Sequence, residues 1–235
     1  LQRLGEAKDD FLRGVTHNLQ TPLTNIRAQA TQLAQAAVNG EPRWSKDADR
    51  RLTIIAEQAD RLTRMVQQLL LVSRLDSGPL RPASDVLALG QRVRRAWEAF
   101  GDRETQLHVS DHAVGWLAIG DADHLDQVLW ALLDNAVKYG SGPIRIEVGV
   151  DEPRGRVHLT ISDQGQGISV EDGERLFHRF SRGSAGRQSD GSGLGLYVSR
   201  ELMRGMGGEL SLEAPAPGRG ATFSLELPGE PATEA

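Results

Sequence analysis

The stretch from Leu52 to Leu70, LTIIAEQADRLTRMVQQLL, sets Leu52, Ile55, Ala59, Leu62, Val66 and Leu69 at alternating spacings of three and four. That spacing predicts a helix from about Ser45 to Leu75 with a coiled-coil-like seam. Upstream, Leu12, Val15, Leu19, Leu23, Ile26, Ala30, Leu33 and Ala37 form a second stripe. Between the two, Val38 to Trp44 contains Gly40 and Pro42, the punctuation of a turn. The two segments therefore read as a helical hairpin. A hairpin cannot bury so long a seam by itself. Either it packs on the rest of its own chain, or it pairs with a second copy; facing stripes favour the second, a dimeric four-helix bundle.

Beyond the hairpin the texture changes. Asp76 to Ser84, with Gly78, Pro79 and Pro82, breaks the helical pattern and reads as a linker. Leu87 to Phe100 is helix-like, and Leu107 to Val109 and Trp116 to Ile119 are short strand candidates. Asp121 can cap a helix carrying Leu125, Val128, Leu129, Leu132 and Leu133. Strict alternation marks Ile144 to Val150 and Val157 to Ile161 as half-buried strands. A further helix is expected near Gly193, then strands over Glu209 to Glu213 and Ala221 to Leu227. The expected fold class is an α-helical hairpin followed by an α/β sandwich, with helices on one face of a mixed sheet. The expected divisions are 1–77 for the hairpin, 78–84 for the linker, 85–229 for the sandwich and 230–235 for a disordered polar tail.

The chain has 235 residues, with 39% hydrophobic and 25% charged, ordinary for globular protein with a real core. A net charge of −5 argues against general nucleic-acid binding. With no cysteine, disulfides, thiolate metal sites and a cysteine nucleophile are excluded. No apolar run approaches the roughly 20 residues that span a bilayer, and no signal peptide is visible. Any membrane anchor or sensor domain is expected upstream of this chain, which begins at Leu1.

Four motifs carry chemistry. His17, in His17-Asn18-Leu19-Gln20-Thr21-Pro22-Leu23, lies two residues from both Val15 and Leu19, about 200° around a helix, so its ring is expected to face away from the seam. A neutral imidazole keeps a nitrogen lone pair for attack, although most exposed helical histidines do nothing. Pro22 either kinks the helix beside His17 or, capped by Thr21, starts a new one; the unbroken stripe favours the kink. In Asp134-Asn135-Ala136-Val137-Lys138-Tyr139, Asn135 and Lys138 share a helix face. An amide oxygen suits Mg²⁺ and an ammonium suits phosphate; the same hexapeptide also fits a plain helix C-terminus. Asp163-Gln164-Gly165-Gln166-Gly167-Ile168 follows a strand, and its glycines allow close approach to a planar ligand while the carboxylate can accept from an amino group; a simple turn is the alternative. Gly191-Ser192-Gly193-Leu194-Gly195-Leu196 opens a helix whose N-terminus favours an anion. Before it, Ser181 to Asp190 reads as a mobile lid or as disorder.

Taken in order, with Phe177-His178-Arg179-Phe180 between the last two, these motifs resemble those of the two-component sensor histidine kinases from Asp9 to Pro228. The run at His17 looks like the family's H box, Asn135 its N box, Asp163 to Ile168 its first glycine box, Phe177 to Phe180 its F box and Gly191 to Leu196 its second glycine box. The resemblance implies a phosphotransfer hairpin and the ATP-binding sandwich shared with Hsp90, gyrase and MutL-type ATPases. It makes His17 the phosphoacceptor and Asn135 the Mg²⁺ ligand. Lys138 would meet phosphate, Tyr139 would line the ATP site and Asp163 would accept from the adenine amino group. Gly165, Gly167, Ile168, Phe180, Gly191, Gly193, Leu194, Gly195 and Leu196 would shape the site, and Arg182 would steady the γ-phosphate. The implied partners are a second copy and a response-regulator receiver domain. The implied setting is the cytoplasmic side, with membrane attachment only through a segment outside this chain.

Three positions depart from the family pattern. Asn18 stands where an acid commonly helps to deprotonate the imidazole, and an amide cannot act as a carboxylate base. Gln20 replaces a usual basic residue, and Ala131 a common second asparagine. Thr21, one turn after His17, matches the position that orients hydrolytic water in relatives with phosphatase activity. The rival expectation is a nucleotide-binding signalling scaffold or a phosphatase-biased relative with weak kinase activity.

Overall fold

A computed structural model describes residues 2–38, 45–78, 82–100, 105–179, 181, 193–213 and 220–232; the side chains of residues 2–15, 17, 18, 57, 61, 76 and 77 lie outside that description. The chain divides into two compact units, with one division between Ser73 and Arg74.

The first unit is helical. Helix α1 spans Gln2–Val38 and α2 spans Lys46–Ser77. α1 continues through Pro22, which is buried, so Pro22 does not open a separate helix. α2 starts where the Ser45 hydroxyl accepts from the Ala48 amide at 3.1 Å, and Asp47 and Asp49 complement the positive end of the dipole. Arg51 joins the helices by donating to Gln29 and Gln32 of α1. The expected stripes divide. Leu19, Ile26, Leu33, Ile55, Leu62 and Leu69 are half-buried, whereas Ala30, Ala37 and Ala59 are exposed and Leu23, Leu52 and Val66 are 58%, 49% and 46% exposed. Outside the expected stripes, Met65 and Val72 are buried and Leu70 is 56% exposed. The side chains of Leu12 and Val15 lie outside that description, and the turn at 39–44 lies outside the described residues.

The second unit is a mixed sheet carrying helices. Its strands are β1 (Asp85–Leu87), β2 (Leu107–Asp111), β3 (Trp116–Gly120), β4 (Ile144–Asp151), β5 (Arg156–Ser162), β6 (Glu209–Leu212) and β7 (Thr222–Pro231). Its helices are α3 (Leu89–Phe100), α4 (Ala122–Tyr139), α5 (Val170–Arg175) and α6 (Gly195–Gly205). The strand order is β1-β3-β7-β5-β4-β2, with β6 paired to β7, and only β2 and β4 run parallel. Alternation decides which face is covered: Ile144, Ile146 and Val148 of β4 and Val157, Leu159 and Ile161 of β5 are buried, while Arg145 and Glu147 are exposed. Against that face α4 buries Leu125, Val128, Leu129, Leu132, Leu133 and Ala136, and α6 buries Val198, Leu202 and Met203.

Asp121 caps α4 as its position in the sequence predicts. Its carboxylate accepts from the His124 amide at 3.0 Å and from the Ala83 amide at 2.8 Å. Burial raises the pKa of this carboxyl, but those amides and the nearby His124 imidazole outweigh it and hold the group below its ordinary value.

One boundary is corrected. The polar end was expected to fray from about Gly229, with 230–235 disordered, yet β7 pairs Gly229, Glu230 and Pro231 with Ala118, Leu117 and Trp116 of β3. The Ala232 amide also donates to the Gly115 carbonyl at 2.7 Å. Pro228 ends the pairing of β7 with β5, opposite Arg156, and Pro231 ends that with β3, opposite Trp116, positions at which a missing donor is tolerated. Residues 233–235 lie outside the described residues.

Candidate functional site

The site is assembled where β5 ends against the last turn of α4. After Ser162 the chain turns through Asp163 to Gly165 and is threaded between Tyr139–Gly142 and the residues leading into β7. The Gln164 amide donates to the Ser141 carbonyl at 3.1 Å, and the Ser141 hydroxyl donates back to the Gln164 carbonyl at 2.6 Å. On the other side, the Asp163 amide donates to the Ala221 carbonyl and the Gly220 amide to the Gly165 carbonyl, each at 3.0 Å. The Ser162 and Thr222 hydroxyls lie 3.0 Å apart beside this turn.

Asp163 is thereby oriented with little freedom. Its Oδ1 accepts from the Gly165 amide at 2.7 Å and from the Ala221 amide at 3.3 Å. Two glycines make the packing possible. A Cβ on Gly165 would fall 2.4 Å from the Tyr139 carbonyl oxygen, and one on Gly220, at φ +77°, 2.0 Å from the Asp163 carbonyl oxygen. Gly140 is equally tight, since a Cβ there would lie 2.7 Å from that of Asp163. Gly220, Gly140, Ser141 and Ala221 were not singled out in the sequence. The available signal was Gly140 directly after Tyr139; Gly220 carries none locally, because its constraint comes from Asp163.

On α4, Asn135 is half-buried, and Lys138 and Tyr139 are exposed. Lys138 Nζ pairs with Asp134 Oδ2 one turn earlier. Gly167 and Gly193 both adopt left-handed backbone, at φ +72° and +66°. Ile168 is half-buried and leads into α5, which Ser169 caps by accepting from the Asp172 amide at 3.1 Å. α6 begins at Gly195 behind buried Leu194, with Leu196 half-buried, and no side chain caps it. Its first amides therefore present a donor set suited to an anion.

The F-box segment is fixed to this helix. Phe177 is buried edge-on to Phe223 of β7 at 6.5 Å, and the Arg200 guanidinium lies 4.9 Å from the Phe177 ring centre. Arg179 donates to the Tyr197 hydroxyl at 2.7 Å, with its guanidinium 4.8 Å from that ring centre. Burial lowers the Arg200 pKa from its ordinary value, as does neighbouring Arg204.

Of the other expected site residues, Thr21 is exposed on α1. His17 and Asn18 have helical backbone there, and their side chains lie outside the described atoms. Phe180, Arg182, Gly191 and the expected lid at 182–190 also lie outside the described residues. The structure thus sets the last turn of α4, at Tyr139 and Gly140, against the turn at 163–165, and joins Phe177 and Arg179 to α6. No group of three His, Asp or Glu side chains arranged for a metal occurs among the described residues; the Asn135 side chain is an amide, whose oxygen is a donor type that suits a hard cation such as Mg²⁺.

Residues 7–78 match the His Kinase A (phospho-acceptor) domain family, and residues 120–231 match the histidine kinase-, DNA gyrase B- and HSP90-like ATPase family. The signal transduction histidine-protein kinase/phosphatase MprB of Mycobacterium sp. (strain KMS) is 32% identical over 256 residues, covering 99% of this chain and 48% of that protein. The sensor protein EvgS of Escherichia coli O157:H7 is 31% identical over 236 residues, 95% of this chain and 19% of that protein. The chain thus spans about half the length of the MprB relatives. Among solved structures, the mycobacterial sensor histidine kinase MprB aligns with a TM-score of 0.54 at 29% identity, over 63% of this chain and 99% of that one. The Acinetobacter baumannii histidine kinase AdeS aligns at 0.65 and 23% identity, over 93% of this chain and 98% of that one, a likeness of fold.

Proposed function

This chain belongs to the two-component sensor histidine kinases, and on that premise we propose that it binds ATP in the second unit, phosphorylates His17 and passes the phosphoryl group to an aspartate of a response regulator. The observation that carries the reading is the Asp163 carboxylate, aimed by two backbone amides in a glycine-lined turn beside the last turn of α4. With Oδ1 engaged internally, Oδ2 is the oxygen offered to an exocyclic amine, the adenine signature. Asn135 and Lys138, earlier on the same helix α4, would supply an amide oxygen for Mg²⁺ and an ammonium for phosphate. The uncapped start of α6 supplies amide donors for the remaining phosphate charge. When bound, Mg²⁺ would neutralise phosphate charge.

In the proposed step a neutral His17 nitrogen forms a bond to the γ-phosphorus while the bond from that phosphorus to the bridging oxygen breaks, and ADP leaves with the electron pair. The imidazole then loses its ring proton. Asn18 can orient the ring by hydrogen bonding but cannot take that proton as a carboxylate does, so water or buffer completes the step. Positioning and charge neutralisation carry most of the acceleration in such transfers. Because ATP is the substrate in this reading, the chain is assigned to the cytoplasmic side. No helix among the described residues is long and apolar enough to cross a membrane. The exposed leucines of the hairpin support assembly with a second copy.

The test is incubation with γ-labelled ATP and Mg²⁺. Native chain should gain acid-labile, base-stable label, and His17→Gln should gain none. Hydrolysis without labelling would point to an ATPase instead. A phosphatase-biased role is favoured by exposed Thr21 together with Asn18 and Ala131. In that case Thr21→Ala should slow loss of phosphate from a phosphorylated regulator, and an unchanged rate would remove the role.

A further inference from the structure

Two contacts join the F-box segment to α6, and they are reciprocal. A cation of the segment, Arg179, lies over a ring of the helix, Tyr197; a cation of the helix, Arg200, lies over a ring of the segment, Phe177. The Arg179–Tyr197 pair is also hydrogen-bonded at 2.7 Å and links positions 18 apart in sequence. Arg200 is the less comfortable partner. Its Nε is buried with no hydrogen-bond acceptor among the described residues, and the face of Phe177, together with the nearby Glu201 and Glu209 carboxylates, offsets its charge. Such an arrangement is costly for packing alone, because a leucine at either ring position fills space without requiring a guanidinium whose Nε is buried without an acceptor.

Its place in the fold gives it a task. Tyr197 is two residues beyond Gly195, where α6 starts, and Arg200 is one turn further on. No side chain of the described residues caps that start and glycine precedes it at left-handed φ, so the direction of the first amides depends on how the helix itself is held. Buried Leu194, Val198 and Leu202 hold its inner side, and on the exposed side Tyr197 and Arg200 are held by the F-box segment. We propose that this cross-clasp, Arg179 on Tyr197 and Arg200 on Phe177, is a positioning device that sets the start of α6 for the phosphate end of the nucleotide. It has no part in holding the adenine end, which belongs to Asp163 and the turn around it. The inference rests on the ATP-binding reading above and assigns its residues a specific share of that site.

The distinguishing measurement is calorimetric titration of the full chain with two probes, ATP with Mg²⁺ and adenosine, which lacks phosphate. Tyr197→Leu should weaken ATP about three- to tenfold, the range of a partly exposed cation–π contact, while adenosine binding shifts by less than about twofold. Tyr197→Phe keeps the ring and loses the hydroxyl, so it should recover most of the ATP affinity. Equal losses for both probes, unchanged ATP affinity in Tyr197→Leu, or a Phe variant no better than Leu would each overturn the proposal. Failure of the native chain to bind ATP at all would instead remove the ATP-binding reading itself.

Discussion

The hairpin and the sandwich use apolar residues in opposite ways. In the sandwich, Leu125, Leu132, Leu133, Ile146, Leu159 and Leu225 are each no more than 1% exposed, so one chain closes its own core. In the hairpin, Leu23, Leu52, Val66 and Leu70 stay about half exposed on helices of 37 and 32 residues. The unit that must hold a nucleotide rigidly is finished in one copy. The unit that matches the phospho-acceptor domain family is left with a surface that a second copy can cover. Rigidity is therefore located where binding geometry matters, and openness where partners must come and go.

The largest expected effect tests that contrast directly. Leu132→Ala removes a fully buried side chain and should lower the unfolding free energy by about 2–5 kcal/mol in urea. Leu52→Ala should cost well under half of that in the same assay at low protein concentration. Its effect should instead be seen in sedimentation, as weaker self-association. Comparable losses from both, independent of concentration, would mean that the hairpin is as self-contained as the sandwich.

A middle-sized effect sharpens the comparison at the boundary of the sandwich. Asp121 both caps α4 and accepts from Ala83, so Asp121→Ala should cost about 1 kcal/mol at neutral pH. The folded carboxyl has a lowered pKa, so its contribution is fully present above the unfolded value near 3.9. It is lost as pH falls through the lower folded value. The native and variant proteins should thus converge in stability below about pH 4. A gap that persists at low pH would mean that the carboxylate is not what caps the helix.

The same two regions differ in how far the sequence discloses them. Periodicity located both long helices, α4 with its cap at Asp121, and the alternation of β4 and β5, because those segments are long enough for a period to repeat. β1, three residues long, and α5, six, are too short to show one, and both went unrecognised. The end of β7 was misjudged because Pro228, Gly229 and Pro231 have the composition of a loop, while their pairing with β3 depends on residues more than a hundred positions away. The site divides likewise. Asp163 and the glycines after it form a local pattern, and Asn135 and Lys138 share a helix face. Gly220 is demanded by the Asp163 carbonyl across the sheet, and the Arg179–Tyr197 contact by two segments meeting in space. Neither demand has a local signature.

The smallest expected effect concerns Lys138, because the structure gives it a partner that the sequence reading did not weigh. Its ammonium pairs with Asp134 at i−4, with the lysine side chain 46% exposed and the aspartate 31%. An exposed helical pair of this kind contributes only about 0.2–0.5 kcal/mol. Asp134→Asn should therefore barely move the urea midpoint. The consequence for binding runs the other way. A phosphate that takes up Lys138 must compete with Asp134 and also sits near its negative charge, so removing the carboxylate should tighten ATP by about two- to threefold, most clearly at low salt. If Asp134 instead helps Asn135 to hold Mg²⁺, the same variant should weaken ATP only when Mg²⁺ is present. Titration with and without Mg²⁺ therefore separates a carboxylate that restrains the lysine from one that serves the metal.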